Sequence, residues 1–229
     1  MISIGNDIVD LQTINIERTK QAQFYNKILH QSEIALYNKV AMLPFECFVW
    51  LMWSIKEAAY KFFQRNNPAL VFSPKKITAG ALHLPANFRL QPLAHQVTES
   101  GIGIISQAIK SVTSFNGTEV LGTSLVYNQL VHSIVYTSEK SNVYHGIKQT
   151  KANEEGQQSV LVRQFAVKKA QDLLHIPGLK VINNPTGCPA LVTDKNEAVN
   201  ALVSLSHHGG YIAYAVAINH AASAPSFPI

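Results

Sequence analysis

Two acidic segments about fifty residues apart carry the residue types that phosphate chemistry needs: Ile4-Gly5-Asn6-Asp7-Ile8 and Trp53-Ser54-Ile55-Lys56-Glu57-Ala58-Ala59-Tyr60-Lys61. The first reads as a strand ending in a carboxylate. The second reads as a helix on which Glu57 and Lys61, four residues apart, share a face. Carboxylates from two elements can hold a divalent cation, with the ammonium group beside it. Magnesium suits such an oxygen-rich site, because it keeps several waters and completes its shell with substrate phosphates. Taken alone, each piece also fits a structural role. Asp7 could be a turn or cap residue, Asp10 a second ligand or an N-cap, and Glu57–Lys61 an exposed ion pair worth about 0.3–0.5 kcal/mol. The apolar run before Glu57 argues instead that this part of the helix is partly buried.

Two further segments bear polar groups on tight backbone. In Ser204-Leu205-Ser206-His207-His208-Gly209-Gly210 a strand runs into a glycine turn that presents hydroxyls and imidazoles. Adjacent histidines on a strand point to opposite faces, which makes them poor joint zinc ligands; anion binding by Ser206 and His207 fits better, with a plain polar turn as the alternative. Gly187-Cys188-Pro189 by itself indicates a turn.

These groups must be positioned by a mixture of strands and helices. Residues 2–9 are rich in isoleucine and valine and predict a strand. A polar, helix-prone stretch spans 15–39. After Pro44, Phe48, Leu51, Met52, Ile55, Ala59 and Phe62 recur at helical spacing and predict a helix over 45–63. Strands are expected at 76–84, 91–98, 101–110, 120–127 and 130–137, with a tight turn at Asn116-Gly117. Residues 138–158 are polar and aperiodic and predict a linker or loop. A helix is expected over 159–174, then a turn-rich stretch over 181–192, strands at 201–206 and 211–218, and a frayed tail from 221. The expected organisation is a half over 1–140, a linker over 141–158, a second half over 159–220 and a tail over 221–229.

Composition narrows the function. The chain has 229 residues, 47% hydrophobic and 14% charged, which implies a folded protein with ample core. The net charge of +5 favours an acidic partner, but the basic residues are scattered, so nucleic acid is not expected. The two cysteines provide neither a disulfide framework nor a zinc spacing, and Cys47, in an apolar run, is expected to be buried. No apolar run reaches membrane-spanning length. With no secretory signal pattern at Met1, the reading is a cytoplasmic protein.

In this order, the four segments resemble the 4′-phosphopantetheinyl transferase superfamily. The Gly-x-Asp strand and the Trp-Ser-x-Lys-Glu-Ala-x-x-Lys helix carry the resemblance; Gly187-Cys188-Pro189 and Ser204-Leu205-Ser206-His207 support it. The order of parts resembles a circular permutation of the two-domain, surfactin-synthetase-activating type, whose Gly-x-Pro and Ser-His segments come first. The resemblance implies an α+β fold of two similar halves, each a small antiparallel sheet packed with helices and related by a pseudo-twofold. It implies transfer of the phosphopantetheine arm of coenzyme A to a serine of an acidic acyl or peptidyl carrier protein, as in fatty acid biosynthesis, releasing 3′,5′-ADP. By resemblance Asp7 and Glu57 hold magnesium, Glu57 and Lys61 are catalytic, and Lys61, Gly187, Pro189, Ser206 and His207 contact coenzyme A. Both sides of the site lie in one chain, so a monomer is expected. Cys188 stands where the family often has a lysine, Val9 where the two-domain type has a third acidic ligand, and Glu154 near an expected basic position. Cys188 and Val9 motivate an alternative reading as a non-catalytic module that binds coenzyme A or a carrier protein.

Overall fold

β-Branched residues at Ile4, Ile8 and Val9 favour extended backbone, and Ile4–Asp10 forms β1, buried along its whole length. The structure is a computed structural model that describes residues 3–137, 142–152 and 154–218. Three short helices follow β1: α1 (Ile16–Thr19), α2 (Ala22–Tyr25) and α3 (Gln31–Tyr37). Pro44 then caps α4 (Phe45–Gln64), which runs twenty residues.

The remaining elements are β2 (Thr78–His83), β3 (Val97–Gly101), β4 (Ile109–Phe115), β5 (Thr118–Val126), β6 (Leu130–Tyr136), β7 (Asn142–Gln149), α5 (Glu155–Leu174), β8 (Lys180–Asn183), β9 (Pro189–Val192), β10 (Ala198–His208) and β11 (Tyr211–Ile218). Asn116 and Gly117 both have positive φ and close the β4–β5 hairpin as expected.

The strands form two antiparallel sheets, in the orders β1-β6-β5-β4-β2 and β3-β7-β11-β10-β9-β8, and the fold is α+β. The twenty-residue α4 covers one face of the first sheet, burying Ala58, Ala59 and Phe62 against Val120 and Val135. The twenty-residue α5 covers the outer face of the second sheet through Ala166 and Ala170, against Val203, Tyr214 and Val216. The inner faces pack on each other, with Ile4, Ile134 and Tyr136 against Val143, Ala215 and Ala217, and Ile8 and Leu130 against Ile147 and Ala213. Alternation along β1 therefore divides its side chains: Gly5 and Asp7 face α4, whereas Asn6 and Ile8 face the second sheet.

Several boundaries differ from the sequence reading. The 141–158 stretch is not a bare linker: it holds β7 and the first turn of α5. β7 lies between β3 and β11 with His145 and Gly146 buried, a composition that carries no alternation. A Cβ on Gly146 would sit 2.4 Å from the Tyr214 ring, so close packing explains the glycine. β3 belongs by sequence to the first half but pairs with β7 in the second sheet. Over 101–110, a 3-10 turn at Ile102–Ile104 precedes β4, and Ile102 is spent filling the core between the sheets. The 221–229 tail lies outside the described residues.

Candidate functional site

Gly5 lets β1 approach α4 more closely than any other residue could. A Cβ there would lie 2.0 Å from the Ala58 carbonyl oxygen and 2.7 Å from the Phe62 nitrogen. Ser3 Oγ donates to the Phe62 carbonyl at 2.8 Å and Ser54 Oγ to the Asp7 carbonyl at 3.2 Å, which fixes the register between strand and helix. This contact brings Asp7, Glu57 and Lys61 together. Lys61 Nζ lies 3.2 Å from Asp7 Oδ1 and 3.4 Å from Glu57 Oε1. Glu57 and Lys61 keep part of their side chains in solvent, while Asp7 is only 5% exposed.

The electrostatics of the cluster follow from that burial. Desolvation of Asp7, with the nearby Glu57 charge adding to it and Lys61 opposing it, raises its pKa to about 7. Burial alone would lower the Lys61 ammonium. The Asp7 and Glu57 charges and their hydrogen bonds outweigh it and hold its pKa above the ordinary value. Asp7 Oδ2 is buried and has no hydrogen-bond partner, a costly arrangement for a carboxylate.

That orphaned oxygen, beside a second carboxylate, fits a hard cation. Among the described residues no group of three or more His, Cys, Asp or Glu is placed to hold a metal. Two carboxylates, however, suffice for magnesium, which takes its remaining ligands from water and phosphate. Asp10 is no candidate ligand: its carboxylate accepts from Gln12 N at 2.9 Å and Gly210 N at 2.8 Å and so pins the β10–β11 turn to β1.

The Ser-His segment lies elsewhere in the layers. β10 turns Ser204, Ser206 and His208 toward β1, where Ser204 and His208 accept from its backbone and Ser206 from the Asn6 side chain. Asn6 N donates to Ser204 Oγ at 2.9 Å, Asn6 Nδ2 donates to Ser206 Oγ at 2.9 Å, and Asp10 N donates to His208 Nδ1 at 2.9 Å. Ser206 thus meets Asn6 on the face of β1 opposite to Asp7. By alternation, His207 sits on the other face of β10 from Ser206.

Asn6 Nδ2 also lies 3.2 Å from His132 Nε2. Nδ2 can only donate, which leaves Nε2 as acceptor and the proton on Nδ1. Burial, then the neighbouring His145 and Lys61, drive the His132 pKa well below its ordinary value. Burial and then Lys169 lower His145 to about 4. The two rings, with centroids 5.5 Å apart, form a neutral pair between the sheets.

Two cations beside the cluster have different parts. Lys56 and Glu33 are both fully buried, with Nζ 2.6 Å from Glu33 Oε2 and 2.7 Å from the Ile28 carbonyl. Glu33 also accepts from His30 N and Ala79 N, each at 2.7 Å. This pair holds α3 and β2 to α4 and leaves Lys56 no reach to the site. Arg65, which the sequence reading did not single out, caps α4 one turn beyond Lys61. Its Nε donates to the Ile4 carbonyl at 3.0 Å, both Nη atoms reach the Pro189 carbonyl at 3.3 Å, and Nη2 also meets the Val203 carbonyl. The Glu57, Lys61, Arg65 spacing was a visible signal, since it continues one helix face. Cys188 lies beside Arg65 and, like Cys47, is buried.

Residues 3–86, which contain β1 and α4 and therefore Asp7, Glu57 and Lys61, match the 4′-phosphopantetheinyl transferase superfamily. No curated protein and no solved structure matches the chain. No helix among the described residues is long and apolar enough to cross a membrane.

Proposed function

We propose that the chain is a magnesium-dependent phosphopantetheinyl transferase acting on an acidic carrier protein. The observation that carries the reading is the convergence of Asp7, Glu57 and Lys61 at the Gly5 contact, inside the segment that matches the superfamily. Asp7 and Glu57 would hold the ion, which neutralises charge developing on the leaving phosphate when bound.

Lys61 extends its ammonium from between the two carboxylates to the phosphate under attack. Glu57, half in solvent, accepts the proton from the carrier serine. The serine oxygen forms the new bond to phosphorus, and the bond to 3′,5′-ADP breaks. Gly187, Pro189 and His207 are assigned to the coenzyme A side of the site; Ser206 acts there through Asn6. The +5 charge steers acidic carriers toward the protein. The reading further takes the chain as a cytoplasmic monomer whose two halves occur in permuted order.

Asp7→Ala and Glu57→Ala each remove a carboxylate from the cluster and are expected to lower carrier modification by about 10²-fold or more. Full activity in either variant would sink the site assignment. The second reading, coenzyme A binding without transfer, draws on Cys188, which is buried and cannot serve as a cationic contact. Magnesium-independent coenzyme A binding with no turnover on any carrier would select it.

A further inference from the structure

Arg65 is a guanidinium in an unusual position. It donates to three backbone carbonyls, at Ile4 on β1, Pro189 on β9 and Val203 on β10. No carboxylate pairs with it among the described residues. The side chain leaves the end of α4 and ties a strand of the first sheet to two strands of the second. Pro189 follows a loop that makes its own local turn, with Cys188 N donating to Asn184 Oδ1 at 2.8 Å and Gly187 at φ +80°. Through Arg65, which also donates to Ile4, hydrogen bonds link the end of this loop at Pro189 to the first sheet.

Three strands therefore meet at one side chain. Glu57, Lys61 and Arg65 follow at four-residue steps, so the helix that presents the ammonium at the acidic cluster also presents the clamp one turn later. A guanidinium suits this work because its planar fork can serve several acceptors at once, whereas an ammonium of similar reach can serve only some of them.

We infer that Arg65 is a positioning residue that sets the distance and orientation of the Gly187-Cys188-Pro189 loop relative to Asp7 and Lys61, and so shapes the coenzyme A side of the proposed transferase site. This role rests on the proposed function, but the clamp itself is testable without it. Cys188, 6% exposed, sits on the held loop, and Cys47, 5% exposed, sits in the separate α4 core. The two thiols report respectively on the clamp and on the global fold.

The experiment is alkylation of the native protein with iodoacetamide, read per cysteine by peptide mass spectrometry, in wild type, Arg65→Met and Arg65→Lys. Methionine keeps an apolar stem and removes every donor. Releasing the loop is expected to speed Cys188 labelling by about tenfold in Arg65→Met, through local opening. Cys47 labelling stays at the wild-type rate, and Arg65→Lys falls between. Equal labelling of Cys188 in all three proteins would overturn the clamp, as would parallel acceleration of both cysteines.

Steady-state kinetics on a carrier protein form the second arm. Arg65→Met is expected to raise KM for coenzyme A about tenfold, the order of one or two lost hydrogen bonds, with kcat within about twofold of wild type. A fall in kcat at unchanged KM would overturn the positioning role even where the labelling supports the clamp. Wild type without transferase activity would remove the proposed function while leaving the labelling result to decide the clamp. If Arg65→Met does not fold, Arg65→Lys carries both arms with the same signs.

Discussion

Replacing Gly5 with alanine probes the contact on which the whole site is built. The new Cβ would lie 2.0 Å from the Ala58 oxygen and 2.7 Å from the Phe62 nitrogen, where real contacts stay above 3.0 Å. Both partners are helix backbone, so no side-chain rotation relieves the clash, and β1 must move about 1 Å away from α4. That motion works against the Ser3–Phe62, Ser54–Asp7 and Arg65–Ile4 hydrogen bonds. Overpacking costs about 1–3 kcal/mol, and stretching these bonds adds about 1 kcal/mol more. A total near 3 kcal/mol corresponds to a fall in Tm of about 6–12 °C for a chain of this size. The same displacement would open the 3.2 Å Lys61–Asp7 contact, and a 1 Å misplacement costs on the order of 10² in rate. Urea denaturation and carrier modification measured on the same preparation check both numbers. Gly156→Ala is the control: nothing lies within 4 Å of its added Cβ, and alanine in the first turn of α5 should stabilise by about 0.4–1 kcal/mol. A Gly5→Ala protein with wild-type midpoint and activity would refute the reasoning.

Further outcomes follow from buried charge. Lys56→Met leaves the Glu33 carboxylate buried without its cation and should cost about 3–5 kcal/mol; a loss below about 1 kcal/mol by urea titration would contradict the structural assignment of Lys56. His145, held near pKa 4 by burial and then Lys169, is protonated first in the unfolded chain as pH falls from about 6.5. Its contribution is thus complete above pH 6.5 and lost on acidification, by roughly 2–3 kcal/mol at pH 4.5. Asp7, raised by burial, acts with the opposite sign over part of this window. The test is therefore the stability difference between wild type and His145→Gln, which should narrow by that amount between pH 7.5 and 4.5. A pH-independent difference, or a His145 imidazole that titrates near 6.5 by NMR, would contradict it.

The chemistry-bearing strand and helix were legible because each is governed by a local rule. β1 is short and β-branched, and α4 carries its apolar stripe over several turns, so Asp7 was expected on a strand and Glu57 and Lys61 on a helix; the structure has them there and brings the Lys61 ammonium within 3.4 Å of both carboxylates. What was illegible depends on contacts between distant segments. β7 carries His145 and Gly146 because Tyr214 and His132 press on it, and no sequence period records that. The commitment of Ser206 to Asn6, across 200 positions of chain, needed the packing of β10 under β1 to be seen. The sequence reading passed over Arg65, and its three carbonyl partners are what reveal the clamp.

The measurement that bears most directly on the central claim is the intact mass of an apo acyl carrier protein after incubation with this protein, coenzyme A and magnesium. The account predicts a gain of about 340 Da, the mass of the phosphopantetheine arm, abolished by EDTA and by Asp7→Ala. No gain on any of several acyl and peptidyl carrier proteins, with coenzyme A binding intact, would contradict it.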